Sequence, residues 1–484
     1  MNRELKRISA LVVAMFVALF VSSSVIQVFQ ADGLDKDSRN TRALQDQYKI
    51  QRGQILVADG TAIVTSKKSN DEYQFQRTYA QGPLYAAVTG YYPVNGEPTG
   101  IEGALNDRLA GTSNNQAFDR LQNIFTGQDP KGDSVELTIQ PKVQKAAWDA
   151  LGSLRGAVVA LDPKTGAVLA LVSKPSFDPA LIAKHDSSAL KAYNQLLNRS
   201  PSPLVNRAIA GNLNPPGSTF KLVVSSAALE SGKYTPSSQF DSPNSLVLPG
   251  TSTTIQNSQG EVCGTGPKAS LKLALSLSCN IPFAELGDQL GEQAIGDQAA
   301  KYGFGKPLSI PLKVTPSSYP KGMDKAQLAQ SAFGQWEDRA TPMQMAMVSA
   351  AIGNGGVLMK PNLVKRVLSP TLSTVEQMTP QQFSQPVSSK TASSVRDMMM
   401  SSVSTGAATN ARIEGVDVAG KTGTAQNGAN DPYTLWFTGF APAKDPQVAV
   451  AVVIENGGGL GQNGYGNLVA APIAKRVMEA VLNK

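Results

Sequence analysis

The chain has 484 residues, 41% hydrophobic and 17% charged. That is enough apolar material for roughly three packed domains and excludes a disordered or low-complexity chain. The formal net charge is +7, but lysine and arginine form no dense cluster and do not interleave with aromatic residues. The surplus therefore suits an anionic membrane or wall polymer and argues against nucleic-acid binding.

Arg3, Lys6 and Arg7 precede an uncharged run from Ile8 to Phe29, long enough at helical rise to span a bilayer. The basic flank assigns residues 1–7 to the cytoplasm and the remainder to the outside. Phe29-Gln30-Ala31 is a poor cleavage site, so residues 8–29 are expected to stay as an anchor rather than leave as a signal peptide. Residues 30–140 mix polar helix pieces, short strand-like runs (Gln54 to Val57, Ala62 to Val64) and Gly-Pro breaks. They hold no catalytic cluster and are expected to form a pedestal. Residues 141–484 would then form the catalytic unit.

PKVQKAAWDALGSL predicts an amphipathic helix. GAVVALDP and GAVLALVS predict two strands joined by the turn Pro163-Lys164-Thr165-Gly166. A polar helix follows over 188–197, with Ser188 as its N-cap. The sole histidine, His185, stands in the polar stretch AKHDSS and reads as an ordinary surface residue. A general base is accordingly sought among lysines and carboxylates, and no metal or cofactor is expected. FKLVVSSAALES, after Pro215-Pro216-Gly217, predicts a buried helix because its apolar residues leave little polar face. ASLKLALSLS and IPFAELGDQLG predict two helices meeting at Cys279-Asn280. Residues 324–354 read as helical, and 366–394, rich in Ser, Thr, Pro and Gln, as a linker-like excursion. Strands return at EGVDVAGKTGTAQ, YTLWFTGFAP and QVAVAVVIENG. A glycine-rich loop, Asn456 to Asn467, precedes the closing helix APIAKRVMEAVL. Strands at both ends of the last two-thirds of the chain, with helices between, predict an α/β (α+β) fold. One antiparallel sheet would be assembled from both ends and covered by the terminal helices, with an all-helical subdomain inserted.

Ser218 and Lys221 stand three residues apart at the start of the buried helix. A serine hydroxyl needs a base to become a nucleophile, and burial and the helix dipole both favour a neutral lysine. Two other Ser-x-x-Lys matches lack that setting: Ser188 to Lys191 opens a polar helix, and Ser318 to Lys321 contains Pro320. Ser278 and Asn280, where two apolar helices meet, can relay a proton and hold an amide. Lys421-Thr422-Gly423 on a strand offers a cation and a hydroxyl for a carboxylate, and its glycine admits a substrate backbone. The same tripeptide at Lys164-Thr165-Gly166 lies in a tight turn and reads as turn chemistry only. Cys263 and Cys279 are the only cysteines. With no C-x-x-C they suggest neither zinc nor a redox motif, and in an oxidising compartment they could pair or stay free.

The three motifs in this order resemble the set shared by penicillin-binding proteins and class A β-lactamases. From about residue 40 onward the chain resembles class B penicillin-binding proteins of the actinobacterial A type. The matching segments are Arg52-Gly53-Gln54-Ile55, Gly100-Ile101-Glu102 with Leu109-Ala110-Gly111, LTIQPKVQ, GAVVALDPKTGAVLALVSKPSFDP, NRAIAGNLNPPGSTFK, TPMQMAMVSAAIGNGG, and KTGTAQ with WFTGFAP. Two departures stand out. Val57, Ala58 and Asp59 precede Gly60 where the family carries Asp-Arg-Asn-Gly. Trp336 follows Gly334-Gln335 where the family has Gly-Gln-Gly.

The resemblance implies a transpeptidase domain with a five-stranded antiparallel sheet, and a serine D,D-transpeptidase inhibited by β-lactams. Ser218 would attack a peptidoglycan stem peptide and Lys221 take its proton. Ser278 would pass a proton to the leaving D-alanine and Asn280 hold the substrate backbone. Lys421 and Thr422 would bind the terminal carboxylate beside Gly423, and the N–H groups of Ser218 and Thr424 would form the oxyanion hole. With no glycosyltransferase-like region, the implied partner is a polytopic membrane glycosyltransferase, together with other wall-synthesis proteins. The alternatives are a β-lactamase or β-lactam sensor on the same fold, or a non-catalytic scaffold.

Overall fold

The computed structural model describes residues 3–30, 48–94, 96–113, 131–211, 213–257, 260 and 262–484. Residues 31–47 and 114–130 of the expected pedestal lie outside them. Helix α1 (Arg3–Ser24) runs into a π-helical turn, Val25–Phe29. Leu5–Val28 is long and apolar enough to cross a membrane, with a mean hydropathy of 2.4.

Strands β1 (Ile55–Leu56), β2 (Ala62–Lys68) and β3 (Phe75–Tyr79) are followed by helices α2 (Gly82–Thr89) and α3 (Gly100–Ala104) and strand β4 (Ser134–Leu137). Then come helix α4 (Pro141–Leu151), strands β5 (Gly156–Leu161) and β6 (Val168–Lys174), and helix α5 (Ser187–Leu197). A 3-10 turn, Gly217–Phe220, leads into α6 (Lys221–Glu230). The hairpin β7 (Ser245–Val247) and β8 (Thr254–Gln256) precedes helices α7 (Leu271–Leu277), α8 (Ile281–Lys301), α9 (Lys325–Ser331) and α10 (Pro342–Gly353). Strands β9 (Val364–Leu368) and β10 (Thr374–Gln377), helix α11 (Ser389–Ser404), strands β11 (Ala419–Ala425), β12 (Thr434–Ala441) and β13 (Val448–Ile454), and helix α12 (Gly466–Leu482) complete the chain.

The five-stranded sheet has the order β11-β12-β13-β5-β6 and is antiparallel throughout. It is buried on both faces, which is why its strands read as continuous apolar runs. In β13, Ala449, Ala451 and Val453 join the core that contains α10. Val448, Val450, Val452 and Ile454 join the core made with α4 and α12. Fully burying each such valine or isoleucine is worth about 1.5–3 kcal/mol. Helix α10 is apolar all round because it is buried all round.

The second sheet has six strands in the order β10-β9-β4-β1-β2-β3. Two of them come from the stretch read as a linker, residues 366–394, which is therefore structured. β9 pairs with β4, and Lys365 and Arg366 both bind the Glu136 carboxylate at 2.6 Å. β10 is an exposed edge strand with no apolar alternation, so no strand period is visible there. The helical reading of 324–354 is also corrected. It breaks between α9 and α10, where Gly334 and Trp336 adopt φ of 81° and 61°.

Two smaller readings change as well. The N-cap of α5 is Asp186, whose side chain accepts the Ser188 N–H; Ser188 lies inside the helix. His185 is not an ordinary surface residue: its side chain is 8% exposed, packs on Tyr48 and Tyr73, and bonds Asp71 Oδ2 through Nδ1 at 2.6 Å. Its partner lies more than a hundred residues away in sequence, so local polarity said nothing of it.

Candidate active site

The Ser218 turn is fixed from three sides. Trp436 Nε1 of β12 donates to Pro215 O at 2.9 Å. Thr219 Oγ1 donates to Pro216 O at 2.7 Å. Gly217 N–H donates to Gly334 O at 2.9 Å. The last contact explains Gly334: a Cβ there would lie 1.9 Å from Gly217 O, so only glycine allows the approach. On the fourth side the turn rests on β11. A Cβ on Gly217 would meet the Thr424 carbonyl at 3.2 Å, and one on Gly423 would meet Pro216 O at 2.9 Å. Ser218 is thus set one residue from the strand that carries the Lys-Thr-Gly motif. The sequence places Ser218 in the first turn of an α-helix. Here that turn is 3-10 and the α-helix begins at Lys221.

Lys221 is wholly buried one turn further on. Its Nζ donates to Ser278 O at 2.8 Å and to Asn280 Oδ1 at 2.9 Å. Burial and, after it, the charge of Lys421 push its ammonium well below the usual lysine range. Lys421, also wholly buried, donates to Ser278 Oγ at 2.6 Å and to Thr422 O at 2.9 Å. Burial pushes it down to about 7. Among the described residues no carboxylate pairs with either ammonium.

A neutral lysine has two N–H bonds and one lone pair. Two neutral acceptors occupy the N–H bonds of Lys221, so the position left over presents a lone pair when the amine is deprotonated. The Lys221 amine, one turn after Ser218 along the chain, can therefore accept a proton.

Ser278 sits at the C-cap of α7 with φ 66° and ψ 32°, a left-handed conformation that turns the chain sharply toward α8. Both lysines converge on it. Asn280 follows, its Nδ2 donating to Gln256 O at 2.9 Å. Cys263 and Cys279 form a disulfide, which ties this turn to the loop after β8.

The hydroxyls of β11 are differently occupied. Thr422 Oγ1 donates to Ala407 O at 3.1 Å. Thr424 Oγ1 accepts the Gly466 N–H at 3.2 Å and keeps its own proton to donate. Ser218, Lys221, Ser278, Asn280, Lys421, Thr422, Gly423 and Thr424 are thus brought together. The sequence marks Gly334 only as part of the Gly-Gln-Trp departure and as a glycine interrupting a helical pattern; its packing role needs Gly217 beside it. The departure at Val57 to Gly60 does not remove the ion pair of the preceding arginine: Arg52 Nε binds Glu102 Oε2 at 2.6 Å.

Comparison with known proteins agrees with this geometry. Residues 156–479 match the family described as the penicillin binding protein transpeptidase domain, and residues 52–135 match the penicillin binding protein A dimerisation domain. The chain is 41% identical over 494 aligned residues, all of both chains, to peptidoglycan D,D-transpeptidase PbpA of Mycolicibacterium smegmatis. It is 39% identical to PbpA of Mycobacterium tuberculosis, covering 100% of this chain and 99% of that one. Among solved structures it resembles the ceftriaxone acyl-enzyme of M. tuberculosis penicillin-binding protein A. The TM-score is 0.87 and the identity 37%, over 90% of this chain and 100% of that chain. The penicillin G acyl-enzyme of the same protein gives 0.84.

Proposed function

Because the chain belongs to the penicillin-binding protein transpeptidase family and is a peptidoglycan D,D-transpeptidase of cell-wall synthesis inhibited by β-lactams, we propose that Ser218 is the residue acylated and that Lys221 is its base. The observation that carries the assignment is the pair of buried lysines without carboxylate partners that converge on Ser278, Lys221 standing one turn after Ser218 in the chain.

In this reading Ser218 Oγ attacks the carbonyl of the D-Ala-D-Ala bond while its proton passes to the Lys221 lone pair. The oxyanion is stabilised by the N–H groups of Ser218 and Thr424; one such donor is worth about 10²–10³ in rate. Ser278 delivers a proton to the leaving D-alanine nitrogen, and the acyl ester remains on Ser218. An amine from a second stem peptide then attacks the ester, forms the cross-link and restores the Ser218 hydroxyl. Asn280 holds the substrate backbone through its amide. The terminal carboxylate is held by the charge of Lys421 and by hydroxyls of β11. Thr424 has its proton free, and Thr422 has to release Ala407 O to join it. The arriving anion favours the ammonium form of Lys421.

Residues 1–7 face the cytoplasm and residues 8–29 span the membrane, which puts the catalytic domain (141–484) outside on its pedestal (30–140). The basic N-terminal flank supports that orientation. Glycan polymerisation falls to a polytopic membrane glycosyltransferase met through the anchor and the pedestal. The test is intact-protein mass of the detergent-solubilised full chain after exposure to penicillin G. The expected result is a single long-lived adduct on wild type and none on Ser218→Ala. An adduct of unchanged yield on Ser218→Ala would overturn the nucleophile assignment.

A further inference from the structure

The Ser-x-Asn turn is held from outside by a segment that carries no catalytic motif. β7 and β8 form a two-stranded hairpin whose Leu246 and Ile255 pack partly into the core. Asn257, one residue past β8, is 5% exposed. Its Oδ1 accepts the backbone N–H of Asn280 at 2.8 Å and that of Ile281 at 3.1 Å. These are two of the N–H groups that the N-terminus of α8 leaves without an intrahelical acceptor. The Asn280 side chain, although it stands at the N-cap position, makes no capping bond itself.

Both neighbours are donors, so the Asn257 amide can face them only with its oxygen. Its Nδ2 is left buried with no partner among the described residues. One residue earlier, Gln256 O takes one N–H of Asn280 Nδ2. Lys221 bonds Asn280 Oδ1. Asn280 is thus fixed at its backbone N–H, its amide oxygen and its amide nitrogen. That decides which way round the amide lies, and it leaves the second N–H of Nδ2 for a ligand carbonyl.

We propose that Asn257 is a positioning residue for the transpeptidase reaction: by accepting the backbone N–H groups of Asn280 and Ile281, it sets the Asn280 amide in the position from which it meets the substrate. The inference rests on the reading above in which Asn280 holds a substrate amide.

The test uses the full chain in detergent, well below its melting temperature, with two β-lactams. Penicillin G carries an acylamino carbonyl for Asn280; imipenem has a hydroxyethyl group instead. For Asn257→Ala the acylation rate constant with penicillin G is expected to fall about tenfold, since small misplacements of a positioning group have effects of that order, and with imipenem by less than about threefold. Asn257→Asp, which still offers both N–H groups an acceptor, should stay within about threefold of wild type with both drugs. Adding Asn257→Ala to Asn280→Ala should slow penicillin G no further, because the two act through one contact.

Wild-type acylation in Asn257→Ala, or equal slowing with both drugs, would overturn the proposal. Equal slowing that Asn257→Asp restores would mean a purely structural contact. Wild-type penicillin G acylation in Asn280→Ala would overturn the role of Asn280 and the proposal with it. A slow Asn280→Ala beside a normal Asn257→Ala would overturn the proposal alone.

Discussion

Among the described residues, two clusters of buried ionisable groups treat their charge in opposite ways. Beside the six-stranded sheet, Glu102 accepts Arg52 Nε and Arg77 Nε, each at 2.6 Å, while Arg52 lies 4.0 Å from the Tyr92 ring centroid. Burial alone would raise the Glu102 carboxyl, but the charges of Arg77 and Arg52 and their hydrogen bonds outweigh it and hold the group below its ordinary value. In the active centre, Lys221 and Lys421 are just as buried but meet only neutral acceptors, and both are pushed down. A buried charge with its counter-ion stays in one state. A buried ammonium without one gives up its proton more readily. The first arrangement serves structure and the second serves chemistry.

The comparison breaks most readily at Lys221. Lys221→Met keeps the buried volume and removes the base. Acylation by a fluorescent penicillin should fall by about 10²–10⁴. The melting temperature should change little, because losing an unpaired buried ammonium offsets the two acceptors left behind. A large loss of stability with normal acylation would contradict the contrast. Next in size is Glu102→Gln, which leaves two buried guanidinium groups around a neutral acceptor and should cost about 3–5 kcal/mol in denaturant unfolding. Acylation per folded molecule should stay at the wild-type rate. The pH behaviour follows from a lowered carboxyl: the contribution is complete above the unfolded value and is lost as pH falls through the lower folded one. The Glu102 centre is therefore insensitive to pH near neutrality and fails only in acid.

The difference between the two centres was only half legible in the sequence. Ser218, Lys221, Ser278, Asn280 and Lys421 carry local signals: a buried-helix pattern, a junction of two apolar helices, a strand with a glycine. The five-stranded sheet was legible for the same reason, since runs such as VAVAVVI have no polar face. What escaped depends on partners far apart in sequence. Arg77 has no local mark that pairs it with Glu102. Asn257 sits in an unremarkable polar loop until α8 is brought beside it. Residues 374–377 lie on an exposed edge, and only pairing of β10 with β9, itself paired with β4, makes the segment part of a sheet. His185 looked solvated because Asp71, Tyr48 and Tyr73 come from elsewhere in the chain.

A smaller effect sharpens the contrast through Lys421. Its folded value is about 7 against an ordinary lysine value of 10.5. Between these two, the unfolded chain holds more protons than the folded one, so stability rises with pH. The gain is complete above the unfolded value and is lost as pH falls through about 7. Between pH 7 and 8.5 it should amount to about 1.6 kcal/mol. Urea unfolding at the two pH values should show a rise in wild type that is smaller by this amount in Lys421→Met, the remainder belonging to Lys221. A fall with pH would mean that the ammonium has found a counter-charge, and the centre would then resemble that of Glu102.

The smallest effect asks whether the active centre also bears strain in its backbone. Trp336 is held at φ 61° and is 40% exposed. The turn cannot relax toward ordinary geometry from its N-terminal side, because Gly334 is locked against Gly217 O and accepts its N–H. A bulky residue in the left-handed region costs about 1–2 kcal/mol. Glycine removes that cost but adds about 0.5–1 kcal/mol of freedom to the unfolded chain. Trp336→Gly should therefore stabilise the protein by a net of about 0.5–1 kcal/mol, seen as a small upward shift in a calorimetric melt. Loss of stability would mean that the indole packs more tightly than its exposure indicates. A gain would mean that the turn bonded to the nucleophile's own turn is kept under strain, as the lysines beside it are kept without counter-ions. The Glu102 centre, its charges paired, would then differ from the active centre in backbone as well as in charge.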